Sequence, residues 1–326
     1  MASRRLALVF PGQGSQRVGM VKDLLADWPR VVGDVLEEAS EATGLNLRRR
    51  MTEGPADDLT STHVAQPALL SMSIAVLQVL QHEMELPPVQ FVLGHSLGEY
   101  TALVAADSIK FADAARLVHV RGLAMQRAVA PGVGSMAALM PVRAEDALSL
   151  CHEASASTGK VCQIANYNSN QQIVISGDAR AVDAAIARAK STRVARRAVI
   201  LNVSAPFHCA LMEPAKLELH EHLQQLLDDE KLHEPKVPLV WNVEAKASKK
   251  TPVEIARVLE DQVVHAVRWS DSVDFCVDNG VTHFLELGVG NVLCSLIRQQ
   301  VGKTDILTSS GGTTAEIKAL LKLLKN

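Results

Sequence analysis

Hydrophobic and polar positions switch between two periods along this chain, and the switches lay out its elements. "LALVF" (6–10) is an unbroken apolar run ending on the turn signal "PGQGSQ", which predicts a short buried strand. "AQPALLSMSIAVLQVL" (65–80) reads as a helix with Pro67 in its first turn, where proline is tolerated. "PPVQFVLG" (87–94) predicts a strand after a proline break. "EYTALVAA" (99–106) continues as a helix, and another helix covers 111–129, up to "APGVG". Strand, turn and helix in repetition predict a parallel sheet with helices on its faces.

The pattern changes in the middle. "SMAALMPV" is strand-like, "RAEDALSLCHEASA" helical, and "VCQIANYN" and "QQIVISG" are strands. "ARAVDAAIARAK" is a helix of period 3.6, and "RRAVILNV" is a strand. The order β-α-β-β-α-β is the split βαβ of a ferredoxin-like unit. The expectation is an insert at 134–203 in a domain made of 1–133 and 204–326. The first pattern then returns with a helix at 212–228, a strand at 237–243, and helices at 252–264 and 269–279. A strand at 282–288, a helix at 291–301, the strand "DILTSS" and an amphipathic helix complete the chain. There are no internal repeats, and "EAKASKK" reads as a surface loop.

Composition narrows the function classes. The chain has 326 residues, 48% of them hydrophobic and only 3% aromatic, so the core must be built from Leu, Val, Ala and Ile. A formal net charge of −3 provides no basic field and argues against nucleic-acid binding. The five cysteines (Cys151, Cys162, Cys209, Cys276 and Cys294) form no CxxC pair and are odd in number. They read as free thiols in a reducing compartment, with no zinc site and no disulfide framework. No apolar run approaches the ~20 residues of a membrane span. The opening "MASRRLALVFPGQG" is too short in its apolar part for a secretory signal, and an organelle-targeting segment already removed would leave no trace.

Candidate chemistry centres on "GHSLG" (94–98), a G-x-S-x-G with a strand before it and a helix after. A sharp strand-to-helix turn would push the Ser96 hydroxyl above the sheet edge. It would also leave the Leu97 N–H at a helix N-terminus, where it could hold an oxyanion. Ser96 is then a nucleophile or a small polar turn residue. A serine alcohol needs a base. His208, in "NVSAPFHCALM", lies where the chain re-enters the first domain, and on sequence alone a structural histidine is the better reading of it. Arg121 falls on an apolar helical face with Leu117, Val118 and Met125. It either reaches solvent or aims into a cleft, where it would bind a carboxylate or phosphate bidentately.

"FPGQGSQ", "AQPAL", "GHSLGEYTAL", "VRGLAMQ", "NYN", "SAPFHCALM" and "ELGVGNVL" come in an order that resembles the malonyl-CoA:acyl carrier protein transacylases, from about residue 6 to 300. The freestanding enzymes of type II fatty acid synthesis match best, and polyketide acyltransferase domains more distantly. The resemblance implies an α/β-hydrolase-like core with a ferredoxin-like insert. It implies Ser96 as the nucleophile that takes malonyl from coenzyme A, and His208 as its base. Gln13 and Leu97 would offer backbone N–H groups to the oxyanion. The backbone carbonyl of Gln262 would orient the histidine where hydrolases use an aspartate. Arg121 would pair with the malonyl carboxylate, with Gln66 and Met125 lining the pocket and Asn166 and Asn168 near the coenzyme A entrance. One departure is Gly288-Val289-Gly290, where the family often has GPG.

No metal or cofactor is expected, with malonyl-CoA as substrate and acyl carrier protein as transient partner of a monomer. Phe207, beside the base, either crowds an α-methyl branch and so disfavours methylmalonyl, or is a core aromatic. Basic clusters occur at Arg48–Arg50, at Arg193, Arg196 and Arg197, and at Lys246, Lys249 and Lys250. The second of these is the preferred docking site for an acidic carrier. A serine thioesterase, a polyketide acyltransferase and a non-catalytic carrier-binding protein are the rival readings, and bacterial cytosol and mitochondrial matrix both suit the free cysteines.

Overall fold

The computed structural model describes residues 4–325. β1 (Leu6–Phe10) leads into four helices for which the pattern above makes no prediction: α1 (Lys22–Asp27), α2 (Pro29–Thr43), α3 (Leu47–Glu53) and α4 (Ala56–Thr60). The apolar positions of α2 explain it. Val32, Val35, Leu36 and Ala39 recur at helical spacing and are all buried.

α5 (Thr62–Glu83) begins a turn earlier than expected, so Pro67 sits in its second turn. Proline leaves the carbonyl four residues back without its helical donor. That carbonyl belongs to His63, and the His119 ring takes it through Nδ1 at 2.8 Å. The helix can therefore start at Thr62 without an orphaned acceptor. α5 is also long and apolar enough to cross a membrane, but 89% of its apolar window is buried inside the protein. It is the central core helix, packed by α2 and by two helices that follow.

β2 (Val89–Gly94), α6 (Leu97–Ala105) and α7 (Phe111–Arg127) complete the first block. The middle block is β3 (Gly134–Met140), α8 (Ala144–Thr158), β4 (Cys162–Ser169), β5 (Gln172–Asp178), α9 (Ala179–Thr192) and β6 (Arg197–Ile200). The last block is α10 (Glu213–Asp228), entered through a 3-10 turn at Ala210–Met212, then α11 (Pro252–Val264) and α12 (Trp269–Asp278). β7 (His283–Glu286), α13 (Val292–Val301), β8 (Leu307–Ser310) and α14 (Thr314–Lys325) follow.

The main sheet is parallel, in the order β2-β1-β7-β8. β1 lies inside it and is buried along its whole length, as a continuous apolar run in a parallel sheet should be. The expected strand at 237–243 is a correction. Only Leu239 and Val240 form bridges, to Val92 and Ala247. Pro238 has no N–H to extend the ladder, and its carbonyl accepts from Val92 N at 3.0 Å. At the other end the Asn242 N–H turns away to a glutamate side chain.

The second sheet is antiparallel, in the order β4-β5-β3-β6. Its strands and helices follow one another as β-α-β-β-α-β. The period of two along β3 is read on both faces. Ala137 and Leu139 face the core shared with α8 and α9, while Met136 and Ala138 join the main core. The strand expected at 196–203 is shorter, because after Ile200 the chain leaves the ladder for the cleft described next.

Candidate active site

The turn after β2 admits only glycine at two places. A Cβ on Gly94 would lie 1.9 Å from the backbone carbon of Gly98, and one on Gly98 would lie 2.0 Å from the Phe10 carbonyl oxygen. Close approach of β2, α6 and β1 throws Ser96 into a left-handed conformation with φ of 52°. Such a residue stores about 1–3 kcal/mol and must be held by its surroundings. Two side-chain amides do so. Asn242 Nδ2 donates to the Gly94 carbonyl at 2.7 Å, and its Oδ1 accepts from Ser96 N at 2.8 Å. Gln262 Nε2 donates to the Ser96 carbonyl at 2.9 Å.

Across 112 residues of sequence, Ser96 Oγ lies 2.7 Å from His208 Nε2. His208 also has a left-handed φ, of 60°. Its Nδ1 lies 2.8 Å from the Gln262 carbonyl oxygen. A carbonyl can only accept, so Nδ1 carries the proton and Nε2 is left to accept from the serine. Burial, and then the charge of Arg121, push the His208 pKa down to about 3, against the opposing pull of the Gln262 carbonyl. The imidazole is therefore neutral near pH 7, the state a base requires.

Arg121, from α7, is 2% exposed. Its guanidinium donates to Gln66 Oε1 at 2.8 Å, to Gln262 Oε1 at 2.9 Å and to Ser96 Oγ at 3.1 Å, and stands over the Tyr100 ring 5.2 Å from its centroid. It makes no salt bridge among the described residues. Its Nε has no hydrogen-bond partner. A buried cation with neutral partners is a ready site for an anion.

These groups open on a cleft of about 400 Å³ between the two sheets. Gln13, Gln66, Ser96, Leu97, Arg121, Met125, Asn166, Phe207 and His208 all line it. Leu97 supplies the first N–H of α6, and Gln13 approaches from the turn after β1. Gln262 and Asn168 stand behind the wall. Asn168 Oδ1 accepts from His95 Nε2 at 2.8 Å, which ties it to the residue before the serine, itself part of the cleft lining.

Three residues at the site carry no expectation from the sequence: Asn242, His95 and Glu99. Glu99 is fully buried on the first turn of α6 and accepts from Asn242 N at 2.7 Å and from Gln262 Nε2 at 2.5 Å. Burial raises its pKa to about 7, opposed by those two bonds and by Arg121. A glutamate inside the apolar run "EYTALVAA" is a visible signal for it.

A strand that delivers a serine to a neutral histidine, beside a buried arginine and backbone donors, defines an acyl-group-transfer enzyme of the serine–histidine kind. Residues 7–318 match the family model described as the acyl transferase domain. The chain is 42% identical over 306 residues to the malonyl CoA-acyl carrier protein transacylase of Escherichia coli K12, covering 94% of this chain and 95% of that one. The structure of the malonyl CoA-acyl carrier protein transacylase from Coxiella burnetii superposes with a TM-score of 0.92 at 36% identity, over 99% of this chain and 98% of that one. A malonyl-transacylase solved in complex with its type II PKS acyl-carrier protein superposes with a TM-score of 0.91 at 37% identity, over 98% of this chain and 99% of that one. The chain is an acyltransferase and belongs to the family of malonyl CoA-acyl carrier protein transacylases.

Proposed function

We propose that this enzyme moves the malonyl group from malonyl-CoA to the phosphopantetheine thiol of acyl carrier protein in two half-reactions, for fatty acid synthesis. His208 Nε2 takes the Ser96 proton as Oγ attacks the thioester carbonyl. The oxyanion is held by the N–H groups of Leu97 and Gln13. The carbon–sulfur bond breaks, coenzyme A leaves with the proton from His208, and Ser96 keeps malonyl as an ester. The carrier thiol then gives its proton to His208 and attacks that ester. The proton returns to Ser96 Oγ as it leaves. The observation that carries this reading is the 2.7 Å contact of Ser96 Oγ with His208 Nε2, on a ring whose Nδ1 is turned to the Gln262 carbonyl. Loss of one oxyanion donor in such a site costs about 100- to 1,000-fold in rate.

Arg121 supplies selectivity in this scheme. Malonyl carries a carboxylate for the guanidinium, and acetyl leaves it unpaired. Phe207 stands at the cleft wall beside the base, where an α-methyl branch would be crowded, so malonyl is preferred over methylmalonyl. We assign catalysis to 1–133 with 204–326, and treat 134–203 as an inserted unit whose Arg193, Arg196 and Arg197 meet the acidic carrier. We place the reaction in bacterial cytoplasm, a reading supported by the bacterial source of the relatives named above by organism.

Intact-mass measurement tests the scheme. Mixing with malonyl-CoA is expected to add one malonyl group, which then passes to pantetheinylated carrier protein, and Ser96→Ala is expected to acquire none. An adduct that decays to free malonate without reaching a carrier would identify a hydrolase instead.

A further inference from the structure

Glu99 is a buried acid that the two half-reactions do not use. It lies three residues after Ser96 on the first turn of α6. Its two oxygens collect donors from two separate parts of the chain, the Asn242 backbone after the short Leu239–Val240 bridge and the Gln262 side chain of α11. Each of these partners grips the serine turn with its other groups. Asn242 holds Gly94 O and Ser96 N, and Gln262 holds Ser96 O while its own carbonyl faces His208 Nδ1. The Gln262 amide also has a fixed sense, with its oxygen on Arg121 and its NH2 on Glu99.

We infer that Glu99 is a positioning residue for the acyl-transfer reaction, whose ionised carboxylate locks the serine turn to the histidine-orienting carbonyl and balances the charge of Arg121 through the Gln262 amide. The inference rests on the serine–histidine reading above. Its physical basis is that both bonds at Glu99 are accepted. A carboxylate has only acceptors, so it satisfies Asn242 N–H and Gln262 NH2 together. A carboxyl proton would be a donor facing donors. An amide at this position would set its own NH2 against one of the two, whichever way it turned. The remaining charged and titratable groups acting on the carboxylate are Arg121 from α7, which favours its ionised form, and Glu244, which opposes it. Tyr100, beside it on α6, is held up to about 12 and so stays neutral.

The test is single-turnover malonyl loading of the full chain by malonyl-CoA, followed by quench and intact mass, at pH 5.5 to 9. His208, titrating near 3, gives no acid limb in this range. The wild-type rate is expected to fall on the acid side with a midpoint near 7, where Glu99 takes up its proton. Glu99→Gln is expected to load at least about 100-fold more slowly, with that limb gone. Glu99→Asp keeps the charge and the acceptors, drawn back by one methylene. It is expected to load about 10-fold more slowly and to keep an acid limb. Thermal melts of each variant report folding, and should Glu99→Gln not fold, the limb in Glu99→Asp carries the test. Loading by Glu99→Gln at the wild-type rate would overturn the inference. So would a slow Glu99→Gln that keeps the wild-type pH profile, since that marks packing alone, or a wild-type rate flat across this range. A wild-type chain that never acquires malonyl on Ser96 would instead overturn the underlying reading.

Discussion

The two sheets spend their buried positions differently. Around the antiparallel sheet the enclosed core is almost wholly apolar: Ala137, Leu139, Leu150, Ile173, Ile175, Val182 and Ile186 pack against one another with buried cysteines among them. Around the end of β2 the interior holds Glu99, Arg121, Gln66, His208, Asn242 and Gln262, all nearly or fully buried. Burying polar groups is unfavourable unless each finds a partner, and here nearly every one does. The parallel half thus accepts polar burial and two left-handed residues at the proposed reaction site, while the antiparallel half supplies packing and one wall of the cleft. Function is drawn from the strained, polar region and rigidity from the apolar one.

The sharpest way to test that division is to remove charge from the polar region. Arg121→Ala leaves an incoming malonyl carboxylate without its partner, a loss of about 3–5 kcal/mol for one half of a buried pair. Malonyl loading is expected to fall by about 100-fold or more, with a smaller change for acetyl-CoA, so that the malonyl-to-acetyl ratio drops. Lysine is not expected to restore it, lacking the planar fork. An unchanged ratio, read by loading with each acyl-CoA, would remove selectivity from Arg121.

A cavity in the apolar region should do the reverse. Leu139 is fully buried between β3 and the helices above it. Leu139→Ala is expected to cost about 2–5 kcal/mol of stability. Below its melting temperature the variant should load malonyl within about two-fold of wild type. A ten-fold loss of loading in folded protein would break the division.

The smallest effect concerns acid. The His208 pKa lies near 3 in the fold against an ordinary 6.5, so the unfolded chain binds a proton that the folded chain refuses. The stability tied to this group is fully present above 6.5 and is lost as pH falls toward 3. The slope approaches about 1.4 kcal/mol per pH unit. Glu99, raised to about 7, works in the opposite sense, its contribution being lost as pH rises through that value. Replacing His208 by Gln leaves the Glu99 contribution in place and removes the histidine one. In wild type the two opposing contributions largely offset each other between pH 6.5 and 4.5, so over this range acid should raise the melting temperature of His208→Gln relative to that of wild type. A constant difference between the two melting curves across this range would show that the histidine's proton is not what couples this site to acid.

Much of this was legible from local pattern. The strand-turn-helix around Ser96 follows from glycines at 94 and 98, because the approach of β1 and α6 admits nothing larger. The period of two in β3 and of 3.6 in α9 is visible in the residues themselves. The strand expected at 237–243 shrinks to two bridging residues, since an apolar run does not reveal that Pro238 ends its ladder and that Asn242 leaves it for Glu99. The start of α5 was misjudged because the donor that replaces the missing Pro67 N–H comes from His119, on another helix. Glu99 and Asn242 stayed hidden for the same reason. Their meaning lies in partners more than 140 positions away, and no local period encodes a bond between them.

The contact of Arg121 with Ser96 Oγ has one further consequence. On the reading proposed above, the guanidinium that would recognise the cargo donates to the oxygen that would receive it. In that scheme an acyl group bearing a carboxylate would draw the guanidinium away and so free the oxygen for attack. One without a carboxylate would leave that contact in place. Choice between cargoes would then be made by timing more than by grip, and it should register in the speed of loading at saturating acyl-CoA more than in the concentration needed to saturate.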